Sequence, residues 1–176
     1  QPDQVEAVAN TFKANDLPVL DNIPLVTMRM HSIKNKLVNT LRTDTTTQIK
    51  GWVLSHEFRT TYRANLINSE EIVKGEWVGS QPAGEIVPVS VSENLAEDAM
   101  VTVGDSIVFN VQGVLMPTVV KSIRKVDWAN LQPNFTVLFP SGVLENAPQF
   151  NVLTTYAPTE ASSARLQGAL VTKFPN

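Results

Sequence analysis

The chain has 176 residues, of which 43% are hydrophobic and 18% are charged, with 14 Lys and Arg against 17 Asp and Glu. This balance excludes a disordered polar tail and a coiled coil, and the net charge of −3 disfavours binding to a nucleic-acid backbone. Cysteine is absent, which excludes a disulfide scaffold, a thiolate zinc site, an iron–sulfur cluster and a cysteine nucleophile.

The beginning of the chain carries a helical pattern followed by an alternating one. Val5, Ala9 and Phe12 recur at helical spacing. Residues 25–34 alternate apolar and polar side chains, which predicts a half-buried strand. Residues 39–48 are polar and rich in Thr, so we interpret them as a linker or a crossing between subdomains.

Short β runs separated by turn residues fill the middle of the chain. Within them, residues 92–100 have a helical pattern with Ser92 or Ser90 as the candidate cap. Residues 106–112 and 114–126 are predicted to form antiparallel strands joined at Gly113. Pro117 favours an edge position or a bulge in the second of these strands.

The end of the chain mirrors its beginning. Residues 150–156 are predicted to form a strand, and Thr159 is a candidate cap for a helix that follows. Because a lone helix–strand pair cannot bury its own apolar face, we expect the two ends to pack together. The sequence therefore predicts an α+β fold, with residues 1–45 and 150–176 forming a small α/β subdomain and residues 46–149 forming an inserted, mainly-β subdomain.

Residues with catalytic or metal-binding potential are few. His56-Glu57 begins like a zinc-protease helix signature, but Thr60 stands where the second His would be, and His31 is the remaining histidine. Glu70 and Glu71 form a carboxylate pair, for which solvated acids are the simpler interpretation. The sequence has no phosphate loop, dinucleotide motif or nucleophile elbow. We therefore predict a domain without catalytic activity, cofactor or metal.

Aromatic and cationic residues cluster in two stretches, residues 56–63 and residues 121–128. The second stretch forms a mixed patch of Lys121, Arg124, Lys125, Asp127 and Trp128. One interpretation is a recognition surface with aromatic and Arg anchors; the other is an ordinary amphipathic sheet with one solvated face. On the first interpretation, the candidate partner contacts are Arg59, Tyr62, Arg63 and Trp128.

Several blocks carry a resemblance to a known family. Residues 90–96 (Ser-Val-Ser-Glu-Asn-Leu-Ala) and residues 103–113, which begin Val-Gly-Asp and end in Gly, resemble the extracytoplasmic domain of MacB/FtsX-type ABC transporter permeases. Five further segments resemble, more specifically, the subgroup of lipoprotein-release or lysophospholipase-associated exporters. They are residues 57–63, 75–77, 126–128, 133–135 and 139–145.

The resemblance implies a segment of an inner-membrane protein that faces the periplasm between the first two membrane helices. Residues 1–45 and 150–176 would then lie near the membrane, which requires Gln1 and Asn176 to emerge toward it. The implied partners are the transmembrane helices of the same permease, a separate ATPase subunit, a second copy in a homodimer and a periplasmic accessory protein. The domain would transmit ATP-driven motion and contact substrate or partner.

Two alternatives stay open at this point. One is a periplasmic hydrolase domain that acts on lipid or cell-wall substrates, for which His56 and Glu57 would be the first residues to replace. The other is a freestanding protein that captures a ligand between its subdomains.

Overall fold

The computed structural model describes residues 1–82, 84–129 and 132–175. The chain divides into two compact units: a terminal unit of Gln1–Leu25 with Gln149–Asn176, and a central unit of Val26–Pro148. Both helices and strands are present, and the predicted α+β class is confirmed. Residues 26–45, which the sequence assigns to the terminal part, fall within the central unit.

The terminal unit consists of two helices and a two-stranded ribbon. Its elements are a 3₁₀ turn at Pro2–Gln4, α1 at Val5–Ala14, the first part of β1 at Asp21–Ile33, β9 at Phe150–Thr154 and α5 at Glu160–Lys173. The ribbon is antiparallel, with Asp21 opposite Thr154. Phe12, Leu17 and Leu166 form its small buried core.

Both terminal helices follow from their sequence patterns. α1 contains the predicted helical stripe and buries Phe12. α5 begins with a capping box. The Thr159 hydroxyl accepts a hydrogen bond from the Ser162 backbone N–H, and the Ser162 hydroxyl accepts one from the Thr159 backbone N–H. The box satisfies two N–H groups that have no partner within the helix, and the predicted cap at Thr159 is confirmed.

The central unit contains the remaining elements. They are the second part of β1, β2 at Lys36–Leu37, α2 at Val38–Thr43, α3 at Gly51–Ser55, β3 at Phe58–Tyr62, β4 at Glu70–Gly75, β5 at Val87–Ser92, α4 at Glu93–Asp98, β6 at Ser106–Val111, β7 at Val114–Val126 and β8 at Val137–Phe139.

Six of these strands close into a barrel. β1 pairs with β3, β3 with β8, β8 with β5, β5 with β7, β7 with β6, and β6 returns to β1. Closure leaves no free edge within the ring. β4 lies outside the ring, paired with the second half of β7.

The barrel strands bury alternate side chains, as their sequence pattern predicts. β6 alternates between partly exposed and fully buried positions, and Phe109 on it is completely buried. Its ring makes edge-on contacts with Phe58 and Phe139 at centroid distances of 6.4 and 5.8 Å. These three rings join β3, β6 and β8 through an aromatic geometry that is favourable beyond area burial alone.

The predicted hairpin and its neighbouring helix are confirmed. β6 and β7 pair in antiparallel register from Ser106 opposite Val119 to Val111 opposite Val114. Pairing of β7 with β5 begins at Thr118, one residue after Pro117. Because Pro117 has no partner on β5, its lack of a backbone N–H removes no hydrogen bond between these two strands. Ser92 caps α4 by accepting a hydrogen bond from the Leu95 backbone N–H.

The linker interpretation of residues 39–48 is wrong for their first half, which forms α2. Val38 and Leu41 lie three residues apart, share one face of this helix and are both buried. The Thr-rich composition of the segment belongs to its exposed face and to the turn that follows. The burial of two apolar residues at helical spacing therefore determines the structure here, although most residues of the segment are polar.

Candidate functional site

A buried ionic cluster lies at one end of the barrel and organises the surface beside it. Arg124, on the last part of β7, and Arg63, just after β3, both contact Oε1 of Glu70 at 2.6 Å. The side chains of Arg124 and Glu70 are completely buried. The cluster thus joins three segments that are distant in sequence.

Hydrogen bonds satisfy most of the Arg124 guanidinium. Its Nε donates to the Ser90 hydroxyl at 3.0 Å, and its Nη2 donates to the Phe135 carbonyl at 2.9 Å. Burial lowers the pKa of Arg124 to about 10, and the nearby Glu70 carboxylate opposes this shift. Arg124 therefore keeps its charge at neutral pH.

Arg63 is less completely accommodated than Arg124. Burial is the largest cause of a lowered pKa at Arg63, and Glu70 again opposes the shift. Among the buried side-chain atoms that the structure describes, Nε of Arg63 has no hydrogen-bond partner. Two cations therefore share one carboxylate, so the loss of Glu70 would leave both without an ionic partner.

The cluster corrects two interpretations made from the sequence. Glu70 is not a solvated acid, because it lies on β4 with a completely buried side chain. Arg124 does not belong to an exposed mixed patch, because it lies on the buried face of β7. An isolated Arg in a strand of mixed pattern gives no signal of a partner 54 residues away.

A concave surface of about 490 Å³ lies beside the cluster in the central unit. Its lining consists of His56, Glu57, Arg59, Trp128, Asn134, Phe135 and Thr136. We name it the Trp128 concavity. Arg59 is exposed, and Trp128 is 49% exposed, so a cation and an aromatic ring are both available to a partner.

Hydrogen bonds hold one wall of the Trp128 concavity, and one of them comes from the ionic cluster. Asn134 accepts a hydrogen bond from the Ser69 hydroxyl at 2.7 Å and donates one to the Asp127 carbonyl at 3.0 Å. The next carbonyl, that of Phe135, is held by Arg124. The buried cluster therefore holds the backbone of Phe135, and Ser69 and Asp127 hold the neighbouring Asn134.

The candidate contact residues divide between these two features. Arg59 and Trp128 line the Trp128 concavity. Arg63 is mostly buried in the ionic cluster, and Tyr62 packs in part against the barrel core. Sequence reasoning did not select Phe135 as a contact, although residues 133–135 were among the segments that carry the family resemblance.

His56 and Glu57, the residues weighed for hydrolysis, also line the concavity. The His56 ring makes edge-on contacts with Phe58 and Trp52 at centroid distances of 4.8 and 5.4 Å. Glu57 forms an exposed ion pair with Arg29 at 3.4 Å. These contacts pack or neutralise the two side chains, and no hydroxyl donates to His56 within the described residues.

The described residues contain neither the side-chain grouping of a metal site nor a membrane-spanning helix. In residues 1–82, 84–129 and 132–175, no group of three or more His, Asp or Glu side chains has the arrangement of a metal site. Among the helices of the same residues, none has the length and apolar character that crossing a bilayer demands.

Comparison with known proteins gives a partial match. No protein-family model matches the chain. Over 96 residues, or 54% of its length, the chain is 35% identical to the uncharacterized ABC transporter permease YbbP of Escherichia coli K12. The match covers 11% of that protein, so the chain spans about a tenth of the curated relative. This supports the broader part of the resemblance, an ABC permease-like domain, while the exporter subgroup stays a prediction.

Proposed function

We propose that the chain is the extracytoplasmic domain of an ABC transporter permease, without catalytic activity of its own. The observation that carries this proposal is the 35% identity to a segment of an ABC transporter permease. In this role the domain transmits ATP-driven motion from a separate ATPase subunit and contacts a substrate or a periplasmic partner. MacB/FtsX-type architecture and a homodimer belong to the same proposal.

The topology of the terminal unit supports insertion between two membrane helices. Because β1 begins opposite the end of β9, α1 enters the ribbon at the end from which α5 leaves. The two helices also touch, with Lys173 Nζ at 3.4 Å from Thr11 Oγ1. Both helices therefore connect to the ribbon at the same end, and a return of the chain to the same membrane would require neighbouring connections of this kind. The family resemblance requires both Gln1 and Asn176 to emerge toward the membrane, and Asn176 lies outside the described residues.

The Trp128 concavity is the contact surface of this proposal. Arg and Trp are the residue types that most often dominate the binding energy of interfaces, and Arg59 and Trp128 line one recess. A fixed wall reduces the entropy that binding must overcome. The ionic cluster behind Phe135 therefore serves recognition by holding the recess in shape.

The membrane side of the domain can be tested with introduced cysteines, because the chain has none. Asn94→Cys places a thiol on the exposed face of α4, in the polypeptide that carries this chain with any other cysteines replaced. We expect a membrane-impermeant maleimide to label it in spheroplasts without permeabilisation.

Val120→Cys is the matched control, because this residue is completely buried. It should resist labelling before and after permeabilisation as long as the domain is folded. Labelling of Asn94→Cys only after permeabilisation would place the domain in the cytoplasm and overturn the proposal.

A further inference from the structure

A second recess in the central unit collects hydrogen-bond donors and no carboxylate. It has a volume of about 270 Å³ and lies between β1, β6, α2 and α3. The polar side chains that line it are Arg29, His31, Asn39, Arg42, Ser55 and Asn110. Two guanidinium groups in one recess are unexpected in a chain whose net charge is −3. We name it the Arg42 recess.

The strand side of the recess presents two donors side by side. Arg29 on β1 is paired in register with Asn110 on β6, so the two side chains point to the same face. Asn110 accepts a hydrogen bond from the Gly113 backbone N–H at 2.7 Å through Oδ1. This contact fixes the amide so that its NH₂ group faces away as a donor.

A bulge in β1 accounts for the presence of His31. The register of β1 against β6 shifts between Met30 and Ser32, which leaves His31 as the extra residue. Bulges redirect a side chain that regular pairing would aim elsewhere. His31 is half-buried and lines the recess.

The helix side contributes a cation that the protein itself does not neutralise. Asn39 and Arg42 lie three residues apart on α2 and line the recess beside Val38, whose side chain is buried. Within the part of the chain that the structure describes, Arg42 has no carboxylate within 4 Å. Arg29 has only Glu57, at 3.4 Å and with both side chains more than half exposed. Such a pair contributes little.

We propose that the Arg42 recess binds a phosphate group, as a phosphomonoester or a phosphodiester. Arg donors suit the planar, bidentate recognition of phosphate oxygens, and the neutral donors of Asn39 and Asn110 complete the set. The exposed Leu37 at the rim offers an apolar contact to whatever the phosphate carries. The site is separate from the Trp128 concavity and does not depend on the permease assignment.

Calorimetric titration of the purified chain with three probes tests the site and identifies the source of the phosphate. The probes are inorganic phosphate, sn-glycerol 3-phosphate and dihexanoyl phosphatidylglycerol below its micelle concentration, against chloride at equal ionic strength. Tightest binding of the lipid assigns a headgroup site with an apolar contact. Tightest binding of either soluble probe assigns a free phosphate or phosphomonoester site.

Three variants tie the binding to the recess. Arg42→Gln should weaken it by about tenfold, the effect of one charge-assisted contact. Arg165→Gln, an exposed Arg on α5, should leave it unchanged. Glu57→Gln should strengthen it, because Arg29 loses its competing carboxylate, and a gain cannot arise from unfolding. Absence of saturable binding by all three probes, or equal losses in Arg42→Gln and Arg165→Gln, would overturn the proposal.

Discussion

The two units differ in how much apolar surface they bury and in how their strands are arranged. In the part of the chain that the structure describes, 24 buried apolar residues form the core of the central unit, whereas three form that of the terminal unit. The central unit closes its strands into a ring, whereas the terminal unit has only a two-stranded ribbon beneath two helices. A ribbon of this size is marginal by itself. Stability is therefore concentrated in the unit that carries both candidate sites.

The exposed side chains show the same contrast. Phe150 and Val152 lie two residues apart on one face of β9 and are 55% and 38% exposed. On β6 of the barrel, by contrast, the apolar residues Ile107, Phe109 and Val111 are all buried. Apolar side chains of the terminal unit are thus exposed to solvent, whereas those of the barrel are buried. We therefore expect the terminal unit to open with a smaller free energy than the central unit.

The largest expected effect comes from breaking the ionic cluster of the central unit. Glu70→Gln removes the carboxylate that Arg63 and Arg124 share, and Arg124 cannot reach solvent. Removing one partner of a buried pair costs about 3–5 kcal/mol, because the remaining charge stays buried without compensation. Urea denaturation followed by tryptophan fluorescence should show this loss in the free energy of unfolding.

Glu71→Gln is the matched control for this variant. Glu71 is the next residue on β4 and is exposed, so its replacement should change the free energy by less than about 0.5 kcal/mol. Equal effects of the two variants would show that the cluster does not hold the barrel as described.

The cluster also marks the point where sequence reasoning stops. The β6–β7 hairpin and the caps at Ser92 and Thr159 are local features, and each was predicted from residues within a few positions of one another. Closure of the barrel and the pairing of Glu70 with Arg124 join residues far apart in sequence, and no local pattern encodes such a partner. Arg59 and Trp128 were selected by residue type alone, but their shared recess depends on the fold.

A smaller effect, confined to the terminal unit, should follow from Leu166→Ala. Leu166 is one of the three buried residues that hold α1 and α5 together. Truncating a buried Leu costs about 2–5 kcal/mol, with the low end at sites that can collapse. We expect about 2 kcal/mol here, seen as faster amide hydrogen exchange in α1 and α5 with unchanged protection in the barrel strands.

Val171→Ala provides the comparison on the same helix, because Val171 is 71% exposed. It should leave exchange in both helices near the wild-type rate. If Leu166→Ala instead accelerated exchange throughout β5, β6 and β7, the two units would unfold as one, and the contrast between them would disappear.

The smallest effect tests whether a single hydrogen bond matters in the weaker unit. Thr159→Ala removes the side-chain acceptor that the Ser162 N–H uses at 3.1 Å, which leaves the first turn of α5 with an unpaired donor. A lost cap costs about 1 kcal/mol, a large share of the opening free energy of a unit with three buried apolar residues but a small share of that of the barrel. Hydrogen exchange should therefore rise several-fold in the terminal unit, most of all in α5, and stay unchanged in the barrel strands. Thr159→Ser keeps the hydroxyl and should exchange like the wild type, so equal acceleration in both variants would assign the effect to the lost methyl group rather than to the cap.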